Sequence, residues 1–194
     1  MFNYRRQFQE KGCKMTNPRR PESPFYSESA EEHRRQSPAN VRCAVITVSD
    51  TRTAENDQSG QTMVDLLQAA GHTVVERTIV PDEATLLRER VLGFVRSEKI
   101  DAVLLTGGTG IAARDQTPET LSALFTKDLP GYGELLRRLS YQEIGPAALL
   151  SRAEGGLIDK KVVLAMPGST AAVRLAMEKL ILPELAHLVA HAGR

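Results

Sequence analysis

Residues 40–194 read as an α/β domain in which helices cover a parallel sheet. Two observations predict it. Apolar runs of strand length, rich in β-branched residues, recur along the chain, and the stretches between the first three repeat their apolar residues at helical spacing. Parallel strands need crossovers of that length, and strands covered on both faces lose the polar alternation of a solvated sheet.

In chain order, VRCAVITVSD (41–50) is an apolar run that turns polar at its end, the form of a buried strand. After the polar loop 51–60, QTMVDLLQAAG (61–71) places Met63, Leu66, Leu67 and Ala70 on one helical face and stops at Gly71, a natural C-terminal glycine. HTVVERTIV (72–80) is the second strand. DEATLLRERVLGFVRSE (82–98) is the second helix, with Leu86, Leu87, Val91 and Val95 turned inward, and DAVLLT (101–106) is the third strand. Helices are expected over 117–125, where Thr117 would cap and Pro118 would take the first helical position, and over 132–144. Residues 147–158 suggest a hairpin, KKVVLAMPG (160–168) a further strand, and Ser169 the start of a C-terminal helix interrupted at Pro183.

Residues 1–39 differ. They contain Pro18, Pro21, Pro24 and Pro38, scattered arginines and no sustained apolar period, which reads as an N-terminal tail. Phe2, Tyr4, Phe8, Phe25 and Tyr26 make this tail rich in aromatics, which suits contact with another subunit; a start at Met15 is the alternative reading. Composition excludes several classes. The net charge of +1 provides no basic face for nucleic acid, and no apolar run reaches the ~20 residues of a membrane span. The first residues lack the apolar core of a signal peptide, so a cytoplasmic protein is expected. Cys13 and Cys43 form neither a disulfide framework nor a CxxC metal site, and both are expected to be reduced and inert.

Ligands of open α/β sheets bind beyond the carboxyl ends of the strands. Four loops meet that description, and each contains groups suited to anions: Ser49 and Asp50; Asp82; the glycine loop Thr106, Gly107, Gly108, Thr109 and Gly110; and Gly168 with Ser169. The segment from Gly108 to Ala113 matches G-x-G-x-x-A, but the dinucleotide motif begins its helix on the glycines, and here the helix begins near Thr117. No Walker sequence occurs. What is left is a loop whose bare backbone can turn N–H groups toward a phosphate or a ring, and a side chain on Gly108 is expected to fill the space where backbone meets ligand. Asp115 lies beside it. A carboxylate next to a phosphate site is repulsive without a cation, so Asp82 and Asp115 together suggest Mg²⁺ held against a polyphosphate. An ion pair with Arg114, or capping of the following helix, is the structural alternative for Asp115.

TVSDTR, VPDE, LLTGGTGIAARDQTPE, LPGYGELLRRLS, ALLSRAEGG and MPGS, in this order, resemble the MoaB and MogA proteins of molybdenum cofactor biosynthesis. The DTRT and DQSG wording, and an end soon after the C-terminal helix, lean toward MoaB. The resemblance implies a three-layer α/β/α sandwich with a mostly parallel central sheet, assembled as a trimer or a dimer of trimers. It also implies molybdopterin as substrate and ATP with Mg²⁺ as co-substrate, for adenylylation of the pterin with release of pyrophosphate. The family's two essential aspartates fall on Asp82 and Asp115. On that reading Glu134 takes the amidine-like edge of the pterin, and Ser49, Thr109, Ser151 and Ser169 supply neutral hydrogen bonds. A non-catalytic molybdopterin-binding or carrier protein is the second reading.

Overall fold

A computed structural model describes residues 37–194. Along β1 (Arg42–Val48) alternate side chains enter opposite layers. Cys43 and Val45 join one apolar core, and Ala44, Ile46 and Val48 join the other. This is the period-two geometry of a strand covered on both sides, so the continuous apolar run has a direct cause. β3 (Ala102–Thr106) and β6 (Lys161–Met166) divide their residues in the same way.

The six-stranded sheet has the order β2-β1-β3-β6-β5-β4. β2 (Thr73–Val80), β1, β3 and β6 are parallel. β5 (Glu154–Ile158) and β4 (Lys127–Asp128) run antiparallel at the far edge. The sheet is therefore mixed, and its parallel part is the larger. The expected hairpin lies further along than 147–158: β5 pairs with β6 through a turn in which Asp159 takes φ +54°, and a 3₁₀ segment (Gly145–Leu150) occupies the earlier residues. β4 went unread because two residues carry no periodicity; it exists only by pairing to β5.

Helices α1 (Gln58–Ala69), α4 (Pro130–Ile144), α5 (Thr170–Ala176) and α6 (Leu182–Ala192) contribute Met63, Leu67, Leu136, Val173 and Leu185 to the first core. α2 (Ala84–Val95) and α3 (Thr117–Ser122) contribute Leu87, Val91 and Leu121 to the second. The architecture is α/β/α in three layers. Leu86, expected inward, is 39% exposed, and Ala70 is an exposed cap rather than a core residue. Between α5 and α6 the chain makes a π turn (Met177–Ile181) before Pro183. A proline lacks the N–H that would bond back to residue 179, and the wider turn absorbs that break without ending the helical run.

α1 begins three residues before its expected start, because Asp57 caps it: the Asp57 carboxylate accepts the Gly60 N–H at 2.9 Å. The same carboxylate accepts the Thr47 hydroxyl at 2.7 Å and the Arg77 guanidinium at 2.9 Å, tying α1 to β1 and β2. Burial alone would raise the Asp57 carboxyl, but these bonds outweigh it and hold it below the usual range. A depressed carboxyl stabilises the fold above its unfolded value, and that stability is lost as pH falls through the folded one. Asp57→Ala is expected to destabilise the chain by about 3 kcal/mol in urea unfolding, since it removes a cap and strands a half-buried guanidinium. Its stability should also vary less with pH below the 3.8 of a free aspartate. The Cys43 thiol, buried in β1, is pushed up to about 12 by desolvation, which makes it a poor nucleophile at neutral pH. Cys13 and the tail aromatics lie outside the described residues. Among the described residues, no helix is long and apolar enough to cross a membrane.

Candidate functional site

β1 has β2 on one side and β3 on the other, and the chain leaves β1 toward α1 in one layer but leaves β3 toward α3 in the opposite layer. Loops that part in this way open a crevice beyond the strand ends. Around it the structure brings together the carboxyl ends of β1, β2, β3 and β6. The Ser49 N–H donates to Val80 O at 2.9 Å, Asp82 N–H to the Asp50 carboxylate at 3.2 Å, and Gly107 N–H to Met166 O at 3.1 Å.

The glycine loop is shaped by close approach. Gly107 and Gly108 have φ +99° and +62°. A Cβ on Gly107 would run into the Val48 carbonyl, and Gly168 packs on the Gly107 backbone, where its own Cβ would lie 3.3 Å from Cα. At Gly108 the space a side chain would take is occupied by the protein itself: the Thr117 hydroxyl, the Asp82 carboxylate and Val48. That corrects the expectation that ligand fills this position. Gly108 seats the loop against its own floor.

Asp115 is near enough to Asp82 for its charge to act on that carboxyl. Burial raises the Asp82 carboxyl; the Gln116 N–H opposes this, and the charges of Asp115 and Asp50 add to the rise. Asp115 does not pair with Arg114, which bonds the Asp50 carboxylate instead, and it does not cap α3. Its carboxylate accepts the Ala112 N–H at 2.8 Å, closing a turn within its own loop. Among the described residues no set of three or more His, Cys, Asp or Glu could hold a metal. The residues present fit Mg²⁺ only in its usual manner with polyphosphates, through one or two carboxylates while phosphate and water complete the shell.

The hydroxyls divide into two groups. Thr106 donates to Pro167 O at 3.0 Å, Ser169 accepts the Ala172 N–H as cap of α5, and Ser49 accepts from Thr51 and Arg52, so all three first serve the backbone. Ser151 Oγ and Thr117 Oγ1 are buried without a partner among the described residues. Thr117 is the first helical residue rather than the cap, a place held by Gln116, and its N–H donates to Gly108 O at 3.0 Å. Thr109 is buried and Gly110 half-buried. Glu134 is exposed on α4, and no hydrogen bond or ion pair joins it to the loop among the described residues.

Arg152 escaped the sequence reading although SRAEGG contains it. Its guanidinium donates to Gly110 O at 2.8 Å, Asp115 O at 2.8 Å and Thr109 O at 3.3 Å, and pairs with Glu119. One planar fork holds two carbonyls of the glycine loop and that of Asp115, tying the loop to the segment that follows it. Arg152→Ala is expected to speed amide exchange across 110–115 by about tenfold, as charge-assisted bonds are lost. Unchanged exchange would show that the loop holds its shape alone.

With this geometry in hand, relatives are informative. The family model described as "Probable molybdopterin binding domain" matches residues 44–187. The chain is 54% identical to molybdenum cofactor biosynthesis protein B of Bacillus subtilis (strain 168) over 162 residues, 83% of this chain and 95% of that protein. A crystal structure of molybdenum cofactor biosynthesis protein B superposes with TM-score 0.79 at 52% identity, covering 82% of this chain and 99% of the other. The tungsten cofactor synthesizing protein MoaB from Pyrococcus furiosus superposes with TM-score 0.74 at 36% identity, covering 81% and 100%.

Proposed function

This chain belongs to the molybdenum cofactor biosynthesis family, and on that premise we propose that it binds molybdopterin across the four strand ends and adenylylates it with MgATP. The observation that supports this reading is the convergence of Asp50, Asp82 and Asp115 beside a loop of bare backbone. Burial, with the Asp115 and Asp50 charges adding to it, disfavours the Asp82 carboxylate, and a cation on a triphosphate would relieve that cost. A terminal phosphate oxygen of molybdopterin attacks the α-phosphorus of ATP, the new P–O bond forms, the α–β bridging P–O bond breaks, and pyrophosphate leaves. The attacking oxygen is already ionised at neutral pH, so no general base is required, and positioning with charge neutralisation carries the step. Mg²⁺ held by Asp82 and Asp115 would neutralise the phosphates. Backbone N–H groups of Gly108 and Gly110, and those beginning α5 beside Gly168 and Ser169, would orient phosphate and pterin.

A non-catalytic molybdopterin-binding protein is the second reading. Pyrophosphate release from purified protein, molybdopterin and MgATP separates the two: turnover supports the first, and binding without turnover the second. Self-association as a trimer or a dimer of trimers belongs to the same proposal. Tyr141, Ile144 and Leu149, exposed on α4 and the turn after it, offer apolar surface that another subunit would cover. Sedimentation of the full chain beside one beginning at Pro38 tests both the assembly and the tail's part in it.

A further inference from the structure

Away from the crevice, a groove of about 750 Å³ runs between α2 and the outer side of β2. Val75 and Leu86, 40% and 39% exposed, give it an apolar lining with Ile79 and Phe94. Gly93 stands in the helical wall, where a Cβ would meet no atom within 4 Å. Glycine weakens a helix, and what it leaves here is open space. β2 is also an edge of the sheet: among the described residues no strand pairs with its outer side. Val80 O accepts the Ser49 N–H and so faces β1, and by the alternation of a strand the backbone groups of Arg77 and Ile79 point outward. An open edge of eight residues is a template for other chains, and native sheets cover such edges.

The segment entering β1 is held at one end of this groove. Asn40 donates to Gly71 O at 2.7 Å and to Thr73 Oγ1 at 3.0 Å, where β2 begins. Arg42 pairs with Asp101 at 2.7 Å, two residues past Lys99, which lines the groove. The chain therefore enters the domain between the two walls.

We propose that the groove is the docking site of this chain's own N-terminal tail, with Phe25 and Tyr26 as the side chains it takes. The inference is independent of what the crevice binds. Fifteen residues separate Phe25 from Asn40. Extended, they reach about 50 Å, and β2 spans about 26 Å, so the rings can lie anywhere along the groove. They bring apolar area to Val75 and Leu86, and Pro21 and Pro24 ahead of them leave less freedom to lose on docking. The Arg90 guanidinium lies over the Phe94 ring at 5.7 Å, and a planar guanidinium takes a ring on either face. A tether of this length keeps the rings at roughly millimolar effective concentration, so a weak contact is enough. Both aromatics are present whether the chain starts at Met1 or at Met15. A second copy fits the edge less well. In the two registers that pair most of β2 with another β2 about a two-fold axis, Glu76 meets Glu76 or Arg77 meets Arg77, like charges directly opposite.

Amide exchange of the full-length protein tests this in the wild type, in the double variant Phe25→Ser with Tyr26→Ser, and in Gly93→Leu. Gly93→Leu fills open space in a helix and is expected to melt no lower than the wild type, which separates displacement of the tail from loss of the fold. The double variant changes none of the described residues and decides alone if Gly93→Leu misfolds. Both should speed exchange at Arg77 and Ile79 by about tenfold. With p-benzoylphenylalanine in place of Phe25, photocrosslinking should reach residues 86–97 of the same chain, and a mixture of isotope-labelled and unlabelled protein reads whether the link crosses between chains. Equal exchange in all three proteins overturns the inference, and if that exchange also slows as protein concentration rises, the occupant is a second copy. Crosslinks that reach α4 or α6 instead, or only a second chain, overturn it as well.

Discussion

Asp82→Asn is expected to reduce pyrophosphate release by roughly 10²-fold or more while leaving the chain at least as stable as the wild type. The two effects come from one cause. Burial and the neighbouring Asp115 and Asp50 charges make the Asp82 carboxylate unfavourable in the ligand-free fold. A carboxyl raised in this way gives stability that is complete below its unfolded value and is lost as pH rises through the folded one. In thermal unfolding the wild type should therefore lose stability as pH rises above the 3.8 of a free aspartate, and Asp82→Asn should lose less. Asp57, whose carboxyl is held low, has the opposite sign, so the two variants separate a group placed for chemistry from one placed for the fold. Asp115→Asn keeps an oxygen that can accept the Ala112 N–H, so its loop should survive while turnover falls. Either variant retaining wild-type turnover at limiting Mg²⁺ would remove the metal role.

Gly108→Val should lose both molybdopterin binding and stability. Gly108 sits at φ +62°, a region that a β-branched residue enters only under strain, and its side chain would press on Thr117, Asp82 at 2.9 Å and Val48 at 3.0 Å. Backbone strain of about 1–3 kcal/mol corresponds to a melting temperature lower by on the order of 2–12 °C. The displaced Asp82 would add a loss of turnover beyond that expected from unfolding alone. Unchanged affinity and melting temperature would reduce the glycine loop to an ordinary turn.

The parts legible in the sequence are those whose information is local. Strand-length runs and helical spacing produced β1, β2, β3, β6 and the helices between them, because burial on two faces or one leaves a periodic trace. Leu86 shows the limit: it fits the apolar period of α2, yet whether that edge of the stripe meets the sheet depends on how far α2 rolls onto β2. The same holds for Asp57, which looked like one polar residue in a polar loop. Its role as the cap of α1 is written in Thr47 and Arg77, which stand on two different strands.

The site divides along the same line. Glycines and aspartates at the ends of apolar runs marked the loops, since a strand's end and a backbone needing positive φ are local properties. Which groups face one another was decided by strand order. Only the arrangement β2-β1-β3-β6 sets Asp50, Asp82 and the glycine loop around one crevice, and only the reversal of β5 brings Arg152 to the edge where β3 and β6 end. Arg152 has no signal in its own neighbourhood, because its partner Gly110 is 42 residues away along the chain. Contacts of that separation depend on the whole fold having formed, and no local pattern encodes them.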